Sequence, residues 1–298
     1  MRRVSVVVPS YQRHHEVMRA VASALVQSVS PLEVIVVNDG TDPEKGRLLE
    51  AFGDDRVRYM EAPRRGNAAA TRNFGIRYAR GGWVALLDDD DVWRPEKLAL
   101  QFSALDQSGH EEALVAGVEA LYAQGKRCHV RPGQTIPPDV SMSEFLFCGT
   151  GGANTSTLLA PRWAFENDPF DEELERHEDW SWMLRVGQVV RLVVAPEEVC
   201  IRYVSPGEGV SRPGGYEVSR RWYETHKKLM TPRARAAFVA NVLSRKGAFD
   251  YRVSAIPWLV REIRENRGFG YDNVVRMTAP WIVPASVRRV IKSMMAGP

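Results

Sequence analysis

Four consecutive acids, Asp88-Asp89-Asp90-Asp91, follow the apolar run Val84-Ala85-Leu86-Leu87 and lead into Val92-Trp93. Two unit charges about 4 Å apart repel by about 4 kcal/mol at an effective dielectric of 20. A divalent cation removes that repulsion, and carboxylate oxygens suit Mg²⁺ or Mn²⁺. The competing reading is a solvated acidic loop, since acids before a helix are ordinary. A second acidic group, His177-Glu178-Asp179-Trp180, opens a helical stretch that ends near Gly187. The dipole at a helix start is expected to lower the pKa of Asp179.

These groups need elements to hold them. The run before Asp88 suits a buried strand. Arg94-Pro95-Glu96-Lys97-Leu98 reads as a helix start with Pro in its first turn. Upstream, residues 4–8, 34–37 and 57–60 are strand-like, and each is followed by helical spacing, the last over 68–79. Alternation with short connections predicts a mostly parallel sheet flanked by helices. In such a sheet the strand ends share one edge, where open α/β sheets bind ligands. Tyr11, Asp39, Arg72 and the four acids all fall there. Farther on, 95–108 reads as helix, 113–123 and 155–159 as strands, and 163–167 as a helical turn. Two more strands are expected at 190–194 and 199–204. Residues 205–215 form a Gly-, Pro- and Ser-rich loop, and the chain from Tyr216 on is helical, with breaks near Pro232, Pro257 and Pro280.

Composition narrows the classes. A chain of 298 residues buries a full core. No apolar run approaches the ~20 residues needed to span a bilayer. The start, Met1-Arg2-Arg3, carries no apolar signal region, so the expected location is cytoplasmic. Cys128, Cys148 and Cys200 are too few and too far apart for a zinc site or a disulfide framework. A net charge of +3 gives no case for nucleic acid. No Gly-x-Gly-x-x-Gly turn, P-loop or Gly-x-Ser-x-Gly elbow is present. A metal–carboxylate site beside polar and basic loops remains, and it suits a diphosphate.

Several ordered motifs within residues 4–212 resemble those of family 2 glycosyltransferases, inverting enzymes of the Rossmann-like GT-A fold. Val-Val-Val-Pro-Ser-Tyr-Gln-Arg is similar to the family's first strand and turn, with Gln12 for the usual Asn. Val-Ile-Val-Val-Asn-Asp-Gly-Thr is similar to the second strand, with Asn38 for the usual Asp. The stretch from Gly66 to Gly75 resembles the Ala-Arg-Asn helix. Leu-Leu-Asp-Asp-Asp-Asp-Val-Trp resembles the Leu-Asp-x-Asp-Asp segment, and His-Glu-Asp-Trp the Glu-Asp motif.

The resemblance implies roles. Pro9, Tyr11 and Arg13 belong to the turn beside the nucleobase. Asp39 reads uracil, and Arg72 stands near base or phosphate. Asp88 and Asp89 bind the donor near its ribose, with the register of the four acids open by one residue. Asp90 ligates Mn²⁺ or Mg²⁺. Asp179 is the catalytic base that takes the acceptor hydroxyl proton, while His177, Glu178 and Trp182 hold the acceptor. The family's closing Tyr-Arg-x-His is matched only by Arg202-Tyr203, with Ser211-Arg212 after it and no His.

The reading is an α/β GT-A domain over residues 1–215 with a helical C-terminal extension over 216–298. Residues 1–110 form its nucleotide-sugar-binding half and 111–215 its acceptor half. The expected reaction moves a sugar from a nucleotide-sugar, UDP-sugars first, to a hydroxyl of a glycan or glycoconjugate. The alternatives are a non-catalytic nucleotide-sugar-binding scaffold of the same fold and, behind it, a sugar nucleotidyltransferase. The basic amphipathic stretch 280–295 leaves three partners open: its own domain, a second copy in a homodimer, or a membrane surface.

Overall fold

The computed structural model describes residues 2–123, 126–131, 140–148, 152–204, 215–268 and 270–282. Residues 205–214 of the expected loop, with Ser211 and Arg212, and residues 283–295 of the amphipathic stretch lie outside the described residues. In chain order the elements are β1 (Val4–Ser10), α1 (His14–Leu25), β2 (Glu33–Asp39), α2 (Pro43–Glu50), β3 (Val57–Ala62), α3 (Ala68–Arg77) and β4 (Trp83–Leu86). They continue with β5 (Asp91–Trp93), α4 (Lys97–Ser108), β6 (Leu114–Ala123), β7 (Lys126–Arg131), α5 (Met142–Phe147), β8 (Leu159–Pro161), α6 (Arg162–Asn167), α7 (Glu178–Val186) and β9 (Leu192–Val204). The C-terminal helices are α8 (Tyr216–His226), α9 (Pro232–Phe238), α10 (Ser244–Phe249), α11 (Ile256–Glu265) and α12 (Tyr271–Ile282), with one π turn, Val239–Leu243, between α9 and α10.

The sheet runs β3-β2-β1-β4-β8-β6-β9-β5, with β7 paired to β6. The half β3-β2-β1-β4 is parallel, so the ends of β1, β2 and β4 share one edge. The pairs β4–β8, β6–β8, β6–β7 and β5–β9 are antiparallel. β1 and β2 are buried along their whole length, as strands covered on both faces must be. Val6, Val8, Val34 and Val36 join the core on the α1 side with Val17, Val21 and Ala24.

The opposite face shows how close α3 lies. A Cβ added at Gly75 would stand 2.6 Å from Val7 Cγ1 and 2.9 Å from Val37 Cγ2. Only a glycine lets the helix that carries Arg72 sit this low on the strands. Gly75→Ala is expected to cost about 1–3 kcal/mol through overpacking, read as a lowered urea midpoint at unchanged slope.

Several local expectations change. Thr155–Thr157 is a 3₁₀ turn and the strand follows it as β8, because Asn154 accepts from the Ser156 amide and caps the turn. The two strands expected at 190–194 and 199–204 are one, β9, which runs through Pro196. The helix expected from Pro95 begins at Lys97. β5, β7 and α5 had no distinct signal.

The chain divides into two compact units, Met1–Met142 with Ala153–Tyr203 and Ser143–Gly152 with Val204–Pro298. In the second unit, Phe147 packs edge-on against Phe238 at 5.0 Å between centroids, and Glu144 accepts from the Thr231 hydroxyl at 2.8 Å. These contacts tie α5 to the C-terminal helices, whereas the sequence reading counts residues 143–152 with the first domain. No helix among the described residues is long and apolar enough to cross a membrane.

Candidate active site

The end of β2 presents Asp39, whose side chain is buried. Its carboxylate accepts from the backbone amides of Arg65 at 2.7 Å and Gly66 at 2.8 Å, and from the Arg64 guanidinium. Gly66 has φ +74°, a left-handed conformation natural to glycine, which turns its amide toward Asp39. The Arg64 guanidinium also lies 3.8 Å above the ring of Tyr11, which is 40% exposed. Pro9 is buried within β1. Tyr11, Arg64 and Asp39 thus form one wall at the sheet edge. Arg64 was not anticipated, since its only signal is being one of two arginines before Gly66.

The four acids meet four environments. Asp88 accepts from Arg72 Nη2 at 2.7 Å. Asp89 is buried and accepts from Arg13 Nη1 at 2.8 Å, while the same nitrogen lies 2.6 Å from Asp90. Burial raises the pKa of both Asp89 and Asp90, and Arg13 opposes the rise. Asp91 turns inward as the first residue of β5. Its Oδ2 accepts from the Ser156 hydroxyl at 2.5 Å, and its Oδ1 is buried without a partner. Burial, then the nearby Asp88, raises the Asp91 pKa well above its ordinary value, and the Ser156 hydroxyl opposes the rise. The Ser156 hydroxyl also accepts from the Asp88 amide at 3.0 Å, so Asp91 helps to place Asp88. Behind the edge, the buried Lys45 donates to Asn38 at 2.6 Å and Ser10 at 2.9 Å. The polar residue at 38 therefore has a structural partner.

Arg72 is not a solvated helix arginine. It is buried on α3 and donates to Asp88 at 2.7 Å and to Glu178 at 3.0 Å. Burial alone would lower its pKa, but Asp88, Glu178 and Asp179 more than offset this and raise it. Its neighbour Asn73 bonds both backbone groups of Phe170, donating to the carbonyl at 2.8 Å and accepting from the amide at 3.0 Å. Asn67, the N-cap of α3, donates to the Glu172 carbonyl at 2.7 Å. One helix thus places the segment leading to α7 and also bonds its first residue.

Asp179 sits in the first turn of α7 and accepts from the Trp180 amide at 2.8 Å. Its pKa is raised to about 7 by burial, with Glu178 adding and Arg72 opposing. This corrects the expected lowering. The helix dipole acts over one turn and is worth at most about 2 kcal/mol, whereas desolvation of a carboxylate shifts it by several units. His177 precedes the helix at φ +66° and stacks on Trp180 at 4.5 Å between centroids. Trp182 is corrected as well. It is fully buried, stacks on Phe165 at 4.3 Å and donates to the Asp168 carbonyl at 2.8 Å, so it is a core residue with no face for an acceptor.

Residues 5–132 match the family model described as Glycosyl transferase family 2. Over this stretch, less than half of the chain, the sequence is similar to glycosyltransferase family 2. The matched stretch carries the Asp39, Arg72 and Asp88–Asp91 groups, and Asp179 lies beyond it. An uncharacterized glycosyltransferase of Rickettsia bellii (strain RML369-C) is 28% identical over 193 residues, covering 63% of this chain and 28% of that protein. The Escherichia coli UDP-Glc:alpha-D-GlcNAc-diphosphoundecaprenol beta-1,3-glucosyltransferase WfgD is 25% identical over 260 residues, covering 84% of this chain and 96% of that protein. The chain thus spans about a quarter of one relative and nearly all of the other. S. aureus TarS 1-349 in complex with UDP-GlcNAc aligns at TM-score 0.61 with 15% identity, over 99% of this chain and 90% of that one. That likeness supports a GT-A fold for this chain.

The family's metal can be tested against the donors present. Among the described residues no group of three or more His, Cys, Asp or Glu could hold an ion alone. Mg²⁺-type ions at diphosphates need only one or two protein carboxylates, because phosphate oxygens and water complete the shell. Asp90 is partly exposed and crowded by Asp88, which raises its pKa further. That donor set fits a cation shared with a diphosphate.

Proposed function

We propose that this chain is a metal-dependent, inverting glycosyltransferase that moves a sugar from a nucleotide-sugar, UDP-sugars first, to a hydroxyl of a glycan or glycoconjugate precursor. The observation that carries the reading is the Arg72 bridge. It joins Asp88, at the end of a parallel strand, to Glu178, and the near-neutral carboxylate of Asp179 is the next residue. A proton acceptor beside the donor acids is what inverting transfer requires. The acceptor oxygen bonds the anomeric carbon, the bond from that carbon to the diphosphate oxygen breaks, and the hydroxyl proton passes to Asp179. A base with a pKa near the working pH suits that transfer. Asp90, with Asp88 beside it, would hold Mn²⁺ or Mg²⁺, which when bound neutralises charge on the leaving diphosphate. Asp39, Tyr11 and Arg13 are assigned to the nucleotide, and Glu178 and His177 to the acceptor side. The names of WfgD and of the TarS complex support UDP as the carrier and a hydroxyl-bearing glycan or lipid-linked glycan as the acceptor.

Thermal unfolding with UDP, GDP, dTDP and CDP, each with and without Mn²⁺, tests the donor site. A diphosphate at ~100 times its Kd stabilises by about 2.7 kcal/mol. UDP with Mn²⁺ is expected to raise the melting temperature of the wild type and to leave Asp39→Ala unmoved. A shift with another base alone would reassign the donor. No shift with any diphosphate, in a folded sample, would remove the nucleotide-sugar reading.

A further inference from the structure

Charge is divided unevenly along this chain. Residues 204–298 carry 17 Lys and Arg against seven Asp and Glu, whereas the whole chain is only +3. The C-terminal part is therefore strongly basic and the remainder acidic. The apolar side chains of the C-terminal helices are distributed unevenly too. In the turn between α10 and α11, Tyr251 is 88% exposed and Val253 65%, and at the end of α10 Phe249 is 50% exposed. On α12, Tyr271, Val275, Thr278 and Ile282 fall at helical spacing and share a face. Tyr271 is 82% exposed and Ile282 76%.

That face borders a cavity of about 140 Å³ between α11 and α12, lined by Ile256, Leu259, Met277, Thr278, Trp281 and Ile282. The lining is apolar in fact as well as in residue type. The Thr278 hydroxyl donates to the Val274 carbonyl at 2.8 Å. The Trp281 indole N–H donates to Ser244 at 2.8 Å, which leaves carbon faces toward the cavity. Exposed arginines accompany these side chains along the sequence. Arg252 lies between Tyr251 and Val253, and Arg261, Arg264, Arg267 and Arg276 are exposed on α11, after it and on α12.

We propose that this face of the C-terminal helices docks on a lipid bilayer bearing anionic headgroups. Exposed aromatic and branched side chains enter the headgroup–acyl boundary, the arginines meet lipid phosphates, and the cavity accepts the end of an acyl chain. Charge complementarity selects this occupant over a second copy of the chain, because two such basic faces would repel each other. Apolar side chains alternating with Arg are the composition of interfacial membrane binders. The proposal stands apart from the donor chemistry, since it concerns residues far in sequence from Asp39, Arg72 and Asp179.

The test is flotation of the full chain with phosphatidylcholine vesicles, with and without phosphatidylglycerol. The chain is expected to float with the anionic vesicles and not with the neutral ones, and to release as salt is raised. The variant Tyr251→Asn, Val253→Ser, Tyr271→Ser alters only exposed positions, and Asn tolerates the φ of +55° at residue 251. It is expected to keep the wild-type melting temperature and to lose at least about tenfold in partitioning. Arg252→Glu with Arg264→Glu is expected to weaken binding to anionic vesicles in the same direction. Absence of binding to anionic vesicles, or binding that the triple variant leaves unchanged, would overturn the proposal. So would a wild-type dimer, seen by light scattering, that the triple variant converts to monomer.

Discussion

Asp179→Asn will bind the nucleotide as the wild type does and will transfer sugar about 10²–10⁴-fold more slowly, the usual worth of a positioned base. The wild-type kcat/KM will rise about tenfold per pH unit up to about 7 and level off above it, because the base works only when deprotonated. The same raised pKa acts on stability with the opposite sign. The folded value of about 7 lies above the ordinary 3.8, so between these values the folded state binds more protons than the unfolded one. The group's contribution is therefore full below about pH 4 and is lost as pH rises through about 7. Asn carries no charge to desolvate, so at pH 8 the variant will melt higher than the wild type, by on the order of 1 kcal/mol. Kinetic pH profiles and melting curves at pH 5 and 8 check both halves. A variant that keeps the wild-type rate would leave a nucleotide-sugar-binding scaffold as the reading of this fold.

Arg72→Met will be the most destabilising change at the site. It removes a buried cation that both Asp88 and Glu178 contact and leaves two half-buried carboxylates near Asp179. Breaking a buried ion pair from one side costs about 3–5 kcal/mol, seen as a fall in the urea midpoint. Arg72→Lys will recover little, because a single ammonium does not reproduce a fork that reaches two acids at once. Arg72 also opposes the rise in the Asp179 pKa, so the residual activity of Arg72→Met will have its pH midpoint moved upward. A midpoint that stays in place would mean that Arg72 does not face Asp179 in the working enzyme.

The parallel half of the sheet was legible because its signal is local. Val4–Val8 and Val34–Val37 are β-branched runs that end in turn residues, and both became fully buried strands. The second half was less legible. β9 runs through Pro196 and was divided at that residue. β5 is only three residues long and exists because it pairs with β9 far along the chain, which no local window contains. The site residues were visible as types, while their states were not. Asp179 and Trp182 occupy the same helix, and spacing alone did not show that the first is held in a desolvating pocket and the second is stacked into the core. Four identical acids gave no hint that Asp91 would turn inward toward Ser156, sixty-five residues later. Arg64 had no pattern at all, because its partners, Tyr11 and Asp39, come from two other strand ends.

Asn73 imitates a strand neighbour. By meeting both the amide and the carbonyl of Phe170 it supplies a rung where no ladder exists, one residue from Arg72 on the same helix. The position of α7 is thus measured from α3 as well as from Phe165 and Asp168 of the intervening chain. A change of chain length that leaves Phe165, Asp168 and Phe170 in place keeps α7 where it stands relative to α3.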